Sequence, residues 1–534
     1  MQRGVWRAGL LTFAFGALIV TTAWALEEFA AHQFSAHLRD RAAAALALAA
    51  TGGTAYQWRF TEPDDLVAGY PFGTDDFSFS GGTLHWRDAG KPVDIGLPLS
   101  RAIDLRTYPR LRVEFETVAA GDFRAVTRET LTDEEHASAP VAFASGASST
   151  ILDLGKLAWW TAAGARTAPA PSRAEMLRLR FSPTGQEMRL HSAALLRPVD
   201  YKPLDIVAPV QIMEPSATRA PGHVAVFKLP FNPDAQKAGI ESIVQGLDTS
   251  AATPPLILLP QRGRVEQQIA LRNAVYSRLP AAILIPESDY AETFARAQTL
   301  VARNFKQARA PAQWAVVVGF GLLYLLMRLR PPANPRRRAL AEVLLALIAP
   351  AWLVIGGYLD GAAQSWHYAL IGLTIAYALS LSLRHRWKWN GSAGAWLWAG
   401  AVVIAALLIG WLLHSNDGHL VTAPGWRQVL RYLGWALLQQ YLICAVSAER
   451  WRVVTDNSMI AVYLSALGFA LMHTPNAALM LATFAGGLAW CAIYLRYRAL
   501  LPLALSHTAS ALALAMLLPA DILRSAEVSV RFFQ

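Results

Sequence analysis

From residue 312 to 518 the chain is a succession of long apolar runs separated by Arg-rich turns, whereas 30–310 mixes short alternating segments with turn residues. A helix needs about 20 mostly apolar residues to cross roughly 30 Å of hydrocarbon. Runs of that kind lie at about 313–329, 339–358, 367–383, 394–413, 428–447, 458–473, 477–495 and 500–518, after a first one at 8–26. That first run follows Arg3 and Arg7 and reads as an uncleaved anchor. Ala23-Trp24-Ala25 keeps a cleavable signal peptide as the alternative. In either case the next segment is exported.

Charge orients the spans. With the N-terminus in the cytoplasm, the inside loops collect Arg3, Arg7, Arg328, Arg330, Arg336, Arg337, Arg338, Arg384, Arg386, Lys388, Arg450, Arg452, Arg496 and Arg498. The outside loops and tail of the C-terminal half hold only Arg427, Arg431, Arg524 and Arg531. This asymmetry is what the positive-inside rule requires. It predicts about nine spans in a bacterial-type inner membrane, with 30–311 outside the cytoplasm and an outward tail at 519–534.

Between about 56 and 200 the pattern is that of strands. Leu111-Arg-Val-Glu-Phe-Glu116 and Met176-Leu-Arg-Leu-Arg-Phe181 alternate apolar and charged residues, and Gly81-Gly82, Asp88-Ala-Gly90 and Pro183-Thr-Gly185 punctuate them. Short strands at this spacing predict an antiparallel β-sandwich over 30–200, jelly-roll-like in its order of segments, with a loop at 161–173. Residues 201–311 instead give three short buried strands, Val224 to Leu229, Pro255 to Pro260 and Ala282 to Pro286, with helices at 263–278 and 288–308: a small α/β subdomain. Residues 1–29 form the anchor and 312–518 the polytopic membrane domain, whose core lies at 428–518. Trp86, Trp159 and Trp160 serve either as sandwich core or as a stacking platform for an envelope glycan. The run Asp133-Glu134-Glu135 reads as a solvated loop rather than a metal site.

Composition agrees with this division. The chain is 54% hydrophobic and 16% charged, against about a quarter charged in a soluble protein. Its formal charge of +10 resides largely in turns beside membrane spans, where it anchors to anionic headgroups, so no nucleic-acid partner is expected. Both cysteines, Cys444 and Cys491, fall in predicted membrane helices, and the exported region holds no disulfide.

Ionisable and amide groups inside apolar spans are costly unless partnered, and mark candidate sites. Three stand out: Gln439-Gln440, His473 in Phe469-Ala-Leu-Met-His473, and His507. Residues 431–515 thereby resemble the CPBP family of CAAX proteases and bacteriocin-processing enzymes, also called Abi proteins. That family carries Glu-Glu-x-x-x-Arg on one helix, Phe-x-x-x-His on the next and His-x-x-x-Asn on a later one. Here the second motif is complete, His507 opens the third with Ala511 in its last place, and the first reads Gln439-Gln440-Tyr-Leu-Ile-Cys444. The resemblance implies an intramembrane endopeptidase acting on a membrane-associated protein or peptide, with His473, His507, Gln439 and Gln440 at the catalytic positions and Phe469 and Asn476 toward substrate.

Glutamine cannot take a proton from water as glutamate can, though its amide can orient one. Three readings follow. The protein is an active hydrolase using His473, His507 or, less directly, Glu342 as base. Alternatively it is a pseudoprotease that binds without cutting and serves as a membrane scaffold or sensor. Or these side chains are interhelical glue. A divalent metal would find only His473 and His507, short of the usual three protein ligands.

Overall fold

Alternating sequence becomes alternating burial: every second residue of Arg110–Thr117 and Met176–Phe181 points into a core and its neighbours point away. The computed structural model describes residues 2–99, 101–167, 170–214, 223–230, 232–246, 254–260, 265–302, 310–355, 365–382, 387–413 and 425–518. They fall into two units, one of 35–263 with 267–306 and the other of 1–34, 264–266 and 307–534. The expected tail at 519–534 lies outside the described residues, as do Arg384 and Arg386.

In the first unit two antiparallel sheets share one core. One sheet runs in the order Gly146–Asp153, Arg110–Thr117, Glu187–Leu196, Thr83–Arg87, Phe77–Ser80, with Gln57–Trp58 paired to Glu187–Leu196. The other runs Arg166–Thr167, Trp159–Thr161, His136–Ser138, Gly121–Arg128, Met176–Phe181, Val93–Leu97. Between them Phe115, Phe123, Phe143 and Phe181 pack ring against ring, with Phe123 and Phe181 stacked at 5.2 Å. Trp86 and Trp159 are buried in the same core, and Trp159 Nε1 donates to the Leu154 carbonyl at 2.9 Å. Two of the three tryptophans considered for a sugar platform are therefore unavailable to a ligand, and only Trp160 is half-exposed. The acidic run is more engaged than a solvated loop. Glu135 pairs with Arg128 at 3.1 Å and Arg178 at 3.3 Å on the outer face of the second sheet.

The same unit contains a four-stranded parallel sheet, Val210–Met213, Val224–Lys228, Leu256–Leu259 and Ile283–Pro286, in sequential order. Leu256–Leu259 and Ile283–Pro286 are buried throughout, as parallel strands covered on both faces are. Helix α1 (Gln2–Thr51) does not end at the expected anchor: it continues unbroken, and Ala42, Ala43, Leu46 and Ala49 join the core of this sheet with Val226, Leu256 and Ile285. Residues 30–51, grouped with the sandwich by the sequence pattern, are thus helical; strand-like alternation starts only at about residue 56. Helices α2 (Pro233–Gly246), α3 (Val265–Arg278) and α4 (Tyr290–Ala302) complete this part.

The second unit is helical: α5 (Ala310–Leu329), α6 (Pro335–Ile355), α7 (Ser365–Ser382), α8 (Ala393–Leu412), α9 (Trp426–Gln440), a π-helical stretch (Tyr441–Ala448), α10 (Glu449–Thr455), α11 (Ser458–Leu471), α12 (Ala477–Tyr497) and α13 (Leu501–Leu517). Among the described residues five helices are long and apolar enough to cross a membrane: Ala14–Thr51, Pro335–Ile355, Ala393–Leu412, Val429–Thr455 and Ala477–Tyr497. The chain is thus a multi-pass membrane protein. The four other expected spans are shorter apolar helices, Trp314–Leu329, Trp366–Leu381, Ser458–Leu471 and Leu501–Leu517. Helices α11 and α12 approach closely at Gly487, where a Cβ would lie 3.0 Å from the Ala466 backbone.

Candidate functional site

The three polar points of the sequence converge. His473 follows the end of α11, four residues after Phe469, and its Nδ1 donates to the Phe469 carbonyl at 2.7 Å. That bond fixes the tautomer: the proton sits on Nδ1, so Nε2 keeps its lone pair. His507 projects from the first half of α13 and is buried. Gln440, the last residue of α9, places its Nε2 3.2 Å from His507 Nδ1. An amide nitrogen can only donate, so His507 Nδ1 accepts and its proton resides on Nε2. The two imidazoles therefore present opposite faces, one acceptor and one donor.

Aromatic packing holds both rings. Phe469 meets His473 edge to face at 4.8 Å and His507 at 5.7 Å. Trp490 stacks on His507 at 4.7 Å and 29°. The indole is itself fixed, since its Nε1 donates to Ser506 Oγ at 3.1 Å and Ser506 donates to the Ala399 carbonyl at 2.8 Å. Gly486 makes room for it: a Cβ there would come within 2.7 Å of the Trp490 ring.

The site opens onto a cavity of about 740 Å³, lined by Gln439, Phe469, His473, Trp490, His507 and Ser510 among many aliphatic groups. Ala511, where the family pattern has Asn, also lines it. No acidic or basic residue appears among its described lining residues apart from the two histidines.

Gln440 is not part of that lining. It lies behind His507 with its amide occupied at both ends, because Cys444 Sγ donates to its Oε1 at 3.1 Å. Cys444 in turn sits 3.7 Å from Cys491 Sγ. Asn476 is buried and caps α12, accepting from the Leu479 amide at 3.0 Å, so its oxygen serves the helix terminus. Glu342 is held away from the cavity by Arg338 at 2.9 Å and Arg450 at 3.2 Å. Both of its carboxylate oxygens are thus engaged by guanidiniums rather than turned to the cavity.

The donor set does not fit a metal centre. Among the described residues no group of three His, Cys, Asp or Glu side chains comes together, and the proton on His507 Nε2 removes one of the two imidazole lone pairs. What remains for chemistry is His473 Nε2 as acceptor and His507 Nε2–H as donor. Sequence reasoning found these residues but missed Trp490, whose role depends on a stacking partner 17 positions away.

The segment that carries this cluster is similar to a known family. Residues 436–513 match the Rce1-like family, described as type II CAAX prenyl endopeptidase Rce1-like. The Rce1-like segment spans the Gln439-Gln440 pair, Phe469, His473, Trp490 and His507, the whole of the polar cluster. No curated protein matches the chain. Two solved structures are similar to part of it. A mutant of the carbohydrate-binding module CBM29-2 is 12% identical over 26% of this chain and 91% of its own, with a TM-score of 0.17. A family 29 carbohydrate-binding module is 11% identical over 26% of this chain and 86% of its own, also with a TM-score of 0.17.

Proposed function

We propose that the Rce1-like segment binds a segment of a membrane-associated protein or peptide in its cavity and does not cleave it, so that the protein is a pseudoprotease serving as membrane scaffold or sensor. The observation that carries this reading is the state of Gln440, with both ends of a neutral amide committed to His507 and Cys444. Water needs a base or a metal ion to become a nucleophile near neutral pH. Among the described residues the cavity lining offers no carboxylate, Glu342 is sequestered, and the donors for a metal are too few.

One observation favours a second reading, an active endopeptidase. His473 lines the cavity with an unprotonated Nε2, and neutral imidazole is a competent base. Here His473 would take the proton of water and His507 Nε2–H would steady the developing negative charge on the carbonyl oxygen. Around either core we place nine spans, with α1 as an uncleaved anchor and 30–311 outside a bacterial-type inner membrane. The turn arginines support that orientation.

The test compares wild type, the Gln439→Glu/Gln440→Glu double variant and His473→Ala in host membranes, reading new protein termini by mass spectrometry. Termini that arise only in the double variant are expected. Wild-type cleavage that disappears in His473→Ala at unchanged membrane level would transfer the assignment to the active enzyme.

A further inference from the structure

The polar side chains around the membrane cavity divide into those with committed partners and those without. Along α9 and its continuation the lining positions recur at helical spacing, Tyr432, Trp435, Gln439 and Leu442, so one face of that element meets the cavity. Gln440, one step of about 100° further round, turns to His507 and Cys444 instead. Gln439 is left with its amide unpaired. Among the described residues it makes no hydrogen bond, although it stands within the apolar stretch Val429–Thr455. Ser510, 5% exposed and three positions after His507 on α13, lines the same cavity with a hydroxyl that also has no partner.

An unpaired amide or hydroxyl in an apolar surrounding is unfavourable, and a ligand that pairs with it relieves that cost. The chemistry of these two groups limits what the ligand can be. Gln439 offers donors on Nε2 and an acceptor on Oε1, and the serine hydroxyl both donates and accepts. Neither carries charge, and no described lining residue is Asp, Glu, Lys or Arg. An ionised headgroup or side chain would lie there without a counter-charge, which is costlier than staying in water. A bare hydrocarbon chain would suit the aliphatic walls but leave both polar groups unpaired. A helical peptide fails for a different reason, because its N–H and C=O groups are already bonded to one another. An extended peptide meets every condition. Each residue of a strand points its N–H and C=O to the same side, a donor and acceptor that one primary amide matches. The volume of about 740 Å³ is that of a ligand pocket, within the usual range of about 300–1,000 Å³.

We propose that the segment held in this cavity is an extended, uncharged, apolar stretch of peptide, and that Gln439 reads its backbone. The Gln439 amide donates to the carbonyl of one peptide residue and accepts from the N–H of the same residue, with Ser510 as a second polar contact. This inference rests on the peptide-binding reading of the cavity and adds the class of segment and the residue that selects it. Main-chain bonds give affinity when a peptide joins a sheet edge, and here one side-chain amide supplies what the edge would. At position 439 glutamine thus fills a role closed to an ionised glutamate, which only accepts.

The full-length protein in detergent is photolabelled with a capped pentapeptide of leucine, alanine and valine that carries a diazirine at its centre. Labelling should saturate and be competed by the same peptide without the diazirine. Analogues with one backbone amide at a time replaced by an ester lose a single N–H donor. At least one should compete about three- to tenfold more weakly, as loss of one hydrogen bond does. In Gln439→Leu the parent peptide should weaken by about that factor or more, and the same ester should make no further difference. A lysine or glutamate at the centre of the peptide should weaken competition at least about tenfold in wild type. If Gln439→Leu elutes aggregated from a sizing column, Gln439→Glu removes the amide's donors at nearly constant shape and should weaken the parent peptide likewise. An ester effect at no position, or one that persists undiminished in Gln439→Leu, overturns the inference while leaving peptide binding in place. Labelling that does not saturate overturns both the inference and the peptide-binding reading on which it rests.

Discussion

Replacing Gln440 by Leu keeps the side chain's approximate volume and removes both ends of the amide that links His507 to Cys444. Interhelical hydrogen bonds in membrane bundles contribute about 0.6 kcal/mol on average and up to about 1.7. The bond to His507 is of that kind and contributes about 0.6–1.7 kcal/mol, the bond from Cys444 lies within one helix, and the acceptor left unpaired on buried His507 adds on the order of 1 kcal/mol or more. The expected destabilisation is thus about 2–3 kcal/mol. A double-mutant cycle with His507→Leu isolates the pair, because the stacking that His507 loses against Trp490 appears in both arms. Equilibrium unfolding in bicelles, followed by tryptophan fluorescence, should return a coupling energy of about 0.6–1.7 kcal/mol. Additivity within about 0.3 kcal/mol would mean that Gln440 and His507 do not hold one another, and the argument from the committed amide would fail.

Other parts of the molecule yield sharper contrasts. Trp159→Ala should destabilise the unit that holds the sandwich by about 3–5 kcal/mol in a thermal melt, whereas Trp160→Ala, at a half-exposed position, should cost less than half as much. Glu342→Gln leaves Arg450, 3% exposed, without its carboxylate and should cost about 3–5 kcal/mol; Glu342→Leu combined with Arg450→Met should cost less, as measured by chemical unfolding. Burial alone would raise the Asp88 carboxyl, but the amides of Thr184, Gly90 and Gly185 and the Thr184 hydroxyl outweigh it and hold the group below the usual carboxylate range. A depressed folded-state value means that its stabilisation is complete above about pH 3.9, the unfolded value, and is lost as pH falls through the folded one. An acid titration of the sandwich's unfolding should therefore be flatter below about pH 4 in Asp88→Asn than in wild type.

Local periodicity carried much of the architecture. The alternation at Arg110–Thr117 and Met176–Phe181, and the apolar blocks at Leu256–Leu259 and Ile283–Pro286, are visible without any knowledge of partners. The histidine pair was equally legible, because ionisable side chains are conspicuous against hydrocarbon. Long-range pairing was not. Glu342 is spaced like a residue that reaches the bundle, yet Arg450, 108 positions away, decides where its charge goes. Asn476 carries a local signal: an amide side chain immediately before an apolar helical run is an N-cap pattern, and that is the role its oxygen fills. The link from Cys444 to Gln440 was also local, since positions four apart share a helix face. It gains meaning only once His507 is known to stand on the other side.

The π-helical stretch Tyr441–Ala448 begins at the residue after Gln440 and ends just before Glu449 and Arg450. Wider winding of this kind shifts the angular phase of everything after it relative to everything before. The glutamine pair and the Glu449-Arg450 pair are thus set in rotation independently of an ideal helix, as two hands on a dial with a slipped gear between them. Removing a single residue from the stretch would turn one pair by about 100° relative to the other. In this segment chain length, as much as residue identity, is what aims the side chains.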